Sequence, residues 1–270
     1  MELITSNTST IVPLPNFKKA ILGTPSMFLS NGTILTCGGE NNDKKCIRLQ
    51  GGSWVDYNSL NLPRANAASV STATTNFIFG GLYSPYTYEY LEENSHEWVF
   101  GEPSIPIRFI FGCAVAISQD EIWLIGGSKD GGPINDILSL NVSSQTFTIM
   151  SIELLKDGRR NHQCTKIPGT RSIIVTGGYN KNGLSNTTEI IDIENKSVIE
   201  LGSMNFIRAD HGIGILKIEN HDRVVVFGGK NNEDATRLKN FEFFNTLTAK
   251  WEMSNIELSA AKSEFGFLTI

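Results

Sequence analysis

Apolar and polar positions along this chain follow a long rhythm. Short runs of β-branched or aromatic residues recur, and five of them stop at a double glycine. Val224-Val225-Val226-Phe227-Gly228-Gly229 is the clearest; the others end at Gly38-Gly39, Gly80-Gly81, Gly126-Gly127 and Gly177-Gly178. A continuous apolar run of this length predicts a strand buried on both faces. A glycine at its end supplies a positive-φ turn or room for close backbone approach. The five pairs follow one another at intervals of 42, 46, 51 and 51 residues, which makes them a repeat.

Around each pair the same phrase can be read. A cation closes a Pro- or Leu-bearing connection (Lys19, Arg64, Arg108, Arg160, Arg208), and a strand of small and apolar residues follows, such as Gly112-Cys113-Ala114-Val115-Ala116. A polar turn leads into the strand that ends in Gly-Gly. After a polar loop comes a third strand whose alternation, as in Glu189-Ile190-Ile191-Asp192-Ile193, fits a more peripheral place. A fourth strand opens on a large residue: Trp54, Trp98, Phe147 or Trp251, with Val198 in that place in the fourth unit.

Four antiparallel strands per repeat are the sequence form of a β-propeller blade. The order of cation, small-apolar strand, Gly-Gly strand, alternating strand and Trp resembles the kelch repeat over essentially the whole chain. The termini fit one further blade. Residues 2–7 and 10–16 align with a third and fourth strand, while Ala261 to Ile270 reads as a first strand with its preceding cation, Lys262. The expectation is an all-β, kelch-like propeller of six blades, the last closed by both termini and lacking its Gly-Gly strand. Five blades with two spare flaps is the alternative.

With 40% apolar and 19% charged residues, the 270-residue chain can bury a sizeable core, and no linker divides it. One domain over 1–270 is expected, without a BTB, BACK or F-box segment. The net charge of −5 argues against nucleic acid or an anionic membrane as the main partner. No signal-like or membrane-spanning apolar stretch is seen, so a cytoplasmic monomer is the default. The four cysteines show no metal spacing; buried free thiols are the favoured reading, with Cys37–Cys46 pairing across a hairpin in an oxidising compartment as the other. Five Asn-x-Ser/Thr triplets (Asn7, Asn31, Asn141, Asn186, Asn195) among 24 asparagines are about what chance gives.

Ring closure would gather the recurring cations on one face, where guanidinium groups could hold an acidic peptide. The other reading, favoured for a residue that every repeat carries, is hydrogen bonding to backbone carbonyls at the entry to the inner strand. The resemblance to BTB–kelch adaptors implies ligand-reading positions just beyond the cation: Ala65-Asn66, Phe109-Ile110, Asn161-His162 and Ala209-Asp210. The set is mixed rather than basic. Tyr83 and Tyr86, in a loop after Gly-Gly, are candidates for a contact or for blade packing. The candidate binding residues are therefore Arg64, Arg108, Arg160, Arg208, Asn66, His162, Asp210, Tyr83 and Tyr86.

Catalytic and metal constellations are not found. His96, His162, His211 and His221 form no HxxxH pair. The ExxxDxxxH motif of kelch-type specifier proteins has only the near miss Glu153-x-x-x-Asp157-x-x-x-Asn161. The reading is a non-catalytic protein-interaction module with a protein partner and no cofactor. The alternative is a small-molecule enzyme, of the isomerase kind, resembling sialic-acid mutarotases.

Overall fold

The computed structural model describes residues 2–5, 10–15, 22–29, 31–151, 155–218, 221–232 and 236–263. These residues form a β-propeller, and no helix occurs among them. Five antiparallel four-stranded blades follow in chain order, each with its strands stacked outward from the axis. The inner strands are Ser26–Phe28, Ala68–Ser71, Cys113–Ala116, Gln163–Lys166 and Gly212–Ile218. The Gly-Gly strands come second: Ile34–Cys37, Thr75–Phe79, Glu121–Ile125, Ser172–Thr176 and His221–Phe227. The third strands are Cys46–Gln50, Tyr88–Glu92, Ile137–Asn141, Thr188–Asp192 and Asn240–Asn245. The outer strands are Ser53–Tyr57, Val99–Phe100, Thr146–Ser151, Ser197–Leu201 and Lys250–Glu257.

Five is the count of the alternative reading; six complete blades are not seen among the described residues. Glu2–Thr5 and Thr10–Pro13, expected in the sixth blade, pair as a separate two-stranded sheet. Residues 264–270 of its expected inner strand, and the cation Lys19, lie outside the described residues.

Alternation explains how both faces of each Gly-Gly strand are buried. Phe77 and Phe79 of the second blade pack on Ile122 and Leu124 of the third, while Ile78 turns back to Met27 and Leu35 of the first. Trp123 and Ile125 meet Ile173 and Val175 across the next seam, and Ile174 meets Val224 and Val226 across the one after. The core is thus a series of apolar layers between consecutive blades.

The cysteines correct the favoured reading: none is free. Cys37 and Cys46 are directly opposite on adjacent strands, with Cα atoms 4.0 Å apart, and are bridged. Cys113 and Cys164 bridge the inner strands of the third and fourth blades at a Cα separation of 6.0 Å. Their separation of 51 residues equals the interval from Gly126 to Gly177, which sets them side by side on neighbouring blades. That neighbourhood belongs to two different sheets, so spacing within one hairpin does not reveal it.

The double glycines have a steric reason. At Gly177, φ is +60° and an added Cβ would lie 2.3 Å from the Arg208 carbonyl oxygen. At Gly131, in an exposed loop, φ is +84° but a Cβ would meet nothing. Gly131→Ala should therefore lower stability only by the strain of a left-handed alanine, about 1 kcal/mol. Gly177→Ala adds a backbone collision and should cost several-fold more, roughly 3 kcal/mol or above. Urea unfolding of the two variants beside the parent checks this; equal losses would mean that the glycine is not required for close approach.

Candidate functional site

The loops after Gly-Gly and the connections between blades share one end of the propeller, and the central channel opens there. At the mouth stand five residues with positive φ, one per blade: Gly23, Asn66, Phe111, Asn161 and Asp210, at +65°, +53°, +57°, +55° and +54°. Backbone hydrogen bonds chain them together. Asn66 N donates to Gly23 O (2.8 Å), Phe111 N to Asn66 O (3.1 Å), Asn161 N to Phe111 O (2.7 Å) and Asp210 N to Asn161 O (2.9 Å). Glycine, asparagine and aspartate tolerate this conformation; phenylalanine is the outlier, at a cost of about 1–2 kcal/mol.

Two residues before each of these lies the cation position. Arg64, Arg159 and Arg208 occupy it in the second, fourth and fifth blades, all fully buried. Arg64 Nη2 lies 3.1 Å from Glu89 Oε1 and Arg208 Nη2 lies 2.9 Å from Glu242 Oε1; Arg159 pairs with Glu189 in the same way. The Nη1 atoms donate to the carbonyls of Gly80, Gly177 and Gly228 at 2.9, 2.9 and 2.7 Å. Burial pushes the Arg64 and Arg208 guanidinium groups down from their ordinary pKa, and the partner carboxylate opposes it. In the third blade Phe109 and Leu138 fill the two places with an apolar pair.

Two expected residues are therefore one position off. Arg108 is half-buried and Phe109 holds the repeat position; Arg160 is half-buried with its guanidinium 5.5 Å from the Tyr179 ring centre, and Arg159 holds the position. Arg64 and Arg208 are consumed by the fold, as the backbone-carbonyl reading had it. The sequence did contain a signal: Arg159 and Arg208 each stand three residues before a histidine, His162 and His211. The partners Glu89, Glu189 and Glu242 leave a further signal: an acidic residue appears on the third strand in the same blades that carry the arginine.

The channel encloses about 320 Å³, and Asn66, Phe111, Asn161, His162, Asp210 and His211 are among its lining residues. Asp210 is tied on both oxygens, Oδ1 accepting from Asn161 Nδ2 (2.6 Å) and Oδ2 3.2 Å from Lys230 Nζ. His162 Nε2 lies 3.3 Å from Cys113 Sγ, and His211 Nε2 shares a 2.8 Å hydrogen bond with Thr176 Oγ1. Burial, reinforced by the Arg159 guanidinium, pulls His162 down to about 3. Burial, then the Arg208 charge and His162, hold His211 well below the usual range. Both imidazoles are neutral at neutral pH. Among the described residues no group of histidine, cysteine, aspartate or glutamate could hold a metal ion. Tyr83 and Tyr86, in the second blade's loop after Gly80-Gly81, are each 51% exposed.

No protein-family model matches the chain. A RING finger domain and kelch repeat-containing protein of Dictyostelium discoideum is 24% identical over 184 residues, covering 68% of this chain. The chain spans only 18% of that relative's length. The solved structure titled "Structure of YjhT" superposes with a TM-score of 0.71 at 14% identity, over 93% of this chain and 88% of that one. The likeness to the latter concerns the fold. Together with the blade topology, these similarities are consistent with a kelch-repeat propeller.

Two outcomes follow from the buried groups. Arg208→Leu leaves the Glu242 carboxylate buried without its counter-charge and should cost about 3–5 kcal/mol. Adding Glu242→Leu reproduces the apolar solution of the third blade, so the double variant should be the more stable of the two in chemical unfolding. The histidines set the acid limit. With a folded pKa below the unfolded value near 6.5, the unfolded chain binds the proton first as pH falls. The stability that neutral His162 contributes is thus complete above pH 6.5 and declines toward pH 3. At pH 4 the loss should be on the order of 3 kcal/mol, and in His162→Gln the fall of stability from pH 6.5 to 4 should be shallower by that amount.

Proposed function

We propose that this propeller is a non-catalytic protein-interaction module whose partner binds the loop end around the channel mouth. The observation that carries the reading is the placement of aromatic surface. Tyr83 and Tyr86 are half exposed, and Phe111 is held in an unfavourable backbone conformation at the mouth, on loops fixed to rigid blades. Aromatic side chains with few rotatable bonds are the commonest anchors of protein interfaces. The chemistry of the channel supports the same reading. Asp210 is paired with Lys230, and burial keeps His162 and His211 neutral, so neither imidazole is poised to exchange protons with a substrate near pH 7.

The six-blade ring belongs to the same proposal. Gly229 N donates to Lys262 O at 2.8 Å, the bond that Gly178 N makes to Arg208 O one blade earlier, so Lys262 stands where a further inner strand begins. Val225, Phe227 and Phe241 face away from the fourth blade and are at most 2% exposed, and Pro15 O accepts from Trp54 Nε1 (2.8 Å) on the first blade. A closing blade between the fifth and the first accounts for both.

A second reading rests on the cavity itself. Its volume falls within the range of small-molecule pockets, which fits an isomerase-type enzyme resembling sialic-acid mutarotases.

The test is affinity capture on the intact chain, with bound proteins identified by mass spectrometry, compared with Tyr83→Ala/Tyr86→Ala. The double variant should fold normally and lose the partner by tenfold or more. A partner retained in full would place the binding surface elsewhere. Turnover of a cyclic sugar acid by both proteins alike would favour the enzyme.

A further inference from the structure

The four paired cysteines and three surface asparagines point to one modification. We infer that the chain matures in an oxidising compartment and carries N-linked glycans on Asn31, Asn141 and Asn195, all at the propeller end opposite the channel mouth. Disulfides persist in secreted and lumenal proteins and are rare in the reducing cytosol. Here no cysteine remains free, and one bridge joins adjacent blades. In that setting an Asn-x-Ser/Thr triplet on an exposed turn is an acceptor site.

The fold sorts the triplets. Asn31-Gly32-Thr33 sits in the turn between the first and second strands of its blade; Asn141-Val142-Ser143 and Asn195-Lys196-Ser197 sit in turns between third and fourth strands. In an antiparallel blade those turns share one end, away from the Gly-Gly loops. All three asparagines are exposed. Asn31 Oδ1 accepts from Thr33 N (3.0 Å) and Asn141 Oδ1 from Ser144 N (2.8 Å), so in both the amide nitrogen is the end left for a substituent. Asn195 Nδ2 makes a 3.2 Å contact to the Asp192 carboxylate on the surface. Asn186 is different: it is half-buried at the loop end, and its Nδ2 donates to Met204 O at 2.9 Å. A glycan there would displace an interior hydrogen bond. The side chain of Asn7 lies outside the described residues.

The chemistry is a transfer from a lipid-linked diphospho-oligosaccharide. The sugar C1–O bond to phosphate breaks, the C1–Nδ2 bond forms, the amide proton leaves to base and the lipid diphosphate departs. Glycans at these three turns would sheathe one end of the disc and leave the end bearing Tyr83 and Tyr86 bare. The inference stands independently of whether those tyrosines bind a partner.

The full chain isolated from its own source would be treated with a glycan-releasing amidase, which converts each occupied asparagine to aspartate, and then mapped by mass spectrometry without reduction. The expected map shows aspartate at 31, 141 and 195, asparagine at 186, and the peptide pairs Cys37–Cys46 and Cys113–Cys164. Unmodified asparagine at all three positions, free thiols, or conversion at 186 in their place would overturn the inference. Passage of Asn31→Gln, Asn141→Gln and Asn195→Gln through a eukaryotic secretory pathway, each with an added leader, gives a second measurement. Each should lose one of three amidase-sensitive mobility steps, and no step in the parent would count against it.

Discussion

One joint sets the geometry of this molecule: the contact between a blade's second glycine and the backbone of the next blade's entry strand. The N–H groups of Gly39, Gly81, Gly127, Gly178 and Gly229 donate to the carbonyls of Arg64, Phe109, Arg159, Arg208 and Lys262, at 2.7 to 2.9 Å. An arginine at that point is a clamp. Its carbonyl accepts from the preceding blade, while its guanidinium reaches the first glycine's carbonyl of its own blade. Because both glycines have positive φ, and in the second, third and fourth blades neither has room for a Cβ, the joint admits no other residue there without displacement of its neighbours. Blade spacing, channel width and the direction of every loop after Gly-Gly follow from it.

The joint does not require charge. Three blades fill the space beneath it with an arginine–glutamate pair, and one fills it with Phe109 and Leu138. This agrees with the energetics of buried ion pairs, whose desolvation roughly cancels their attraction, so that an apolar pair of similar volume is an acceptable substitute. What the position forbids is half of either solution. The arginine and glutamate therefore come and go together, and neither is free to read a ligand.

That pairing explains what could be read in the sequence. Repeat length, strand order and the glycine joints rest on local composition, and each was legible. The register of the cation is harder to read, because two adjacent arginines, Arg159 and Arg160, both fit the local phrase; the distance to His162, matched by that from Arg208 to His211, is the local sign that distinguishes them. Phe109 was invisible for a related reason: it is an apolar residue doing an arginine's job, beside an arginine, Arg108, that does not. The bridge between Cys113 and Cys164 likewise depends on two blades lying side by side. Asn66, His162 and Asp210 line the channel at fixed offsets from the glycine joint. Contacts within a blade leave a periodic trace; contacts between blades leave one only when the whole ring is in register.

Phe111 departs from the rest of the ring at the channel mouth. Its four counterparts are residues that enter the left-handed region at little cost, and its backbone makes the same two ring hydrogen bonds as those of Asn66 and Asn161. The phenylalanine therefore contributes nothing to the ring that asparagine would not, and it destabilises the fold by roughly 1–2 kcal/mol. Its neighbour Gly112 has room for no Cβ because the Phe109 ring lies 2.5 Å from that point, so the third blade has exchanged polar clamping for aromatic packing all the way to the channel. Strain kept at a rim position, on a residue that is only partly buried, is a feature that folding alone does not favour. In the binding mode proposed above, a contact made by that ring to a partner would offset the strain, on the same loop end that bears Tyr83 and Tyr86.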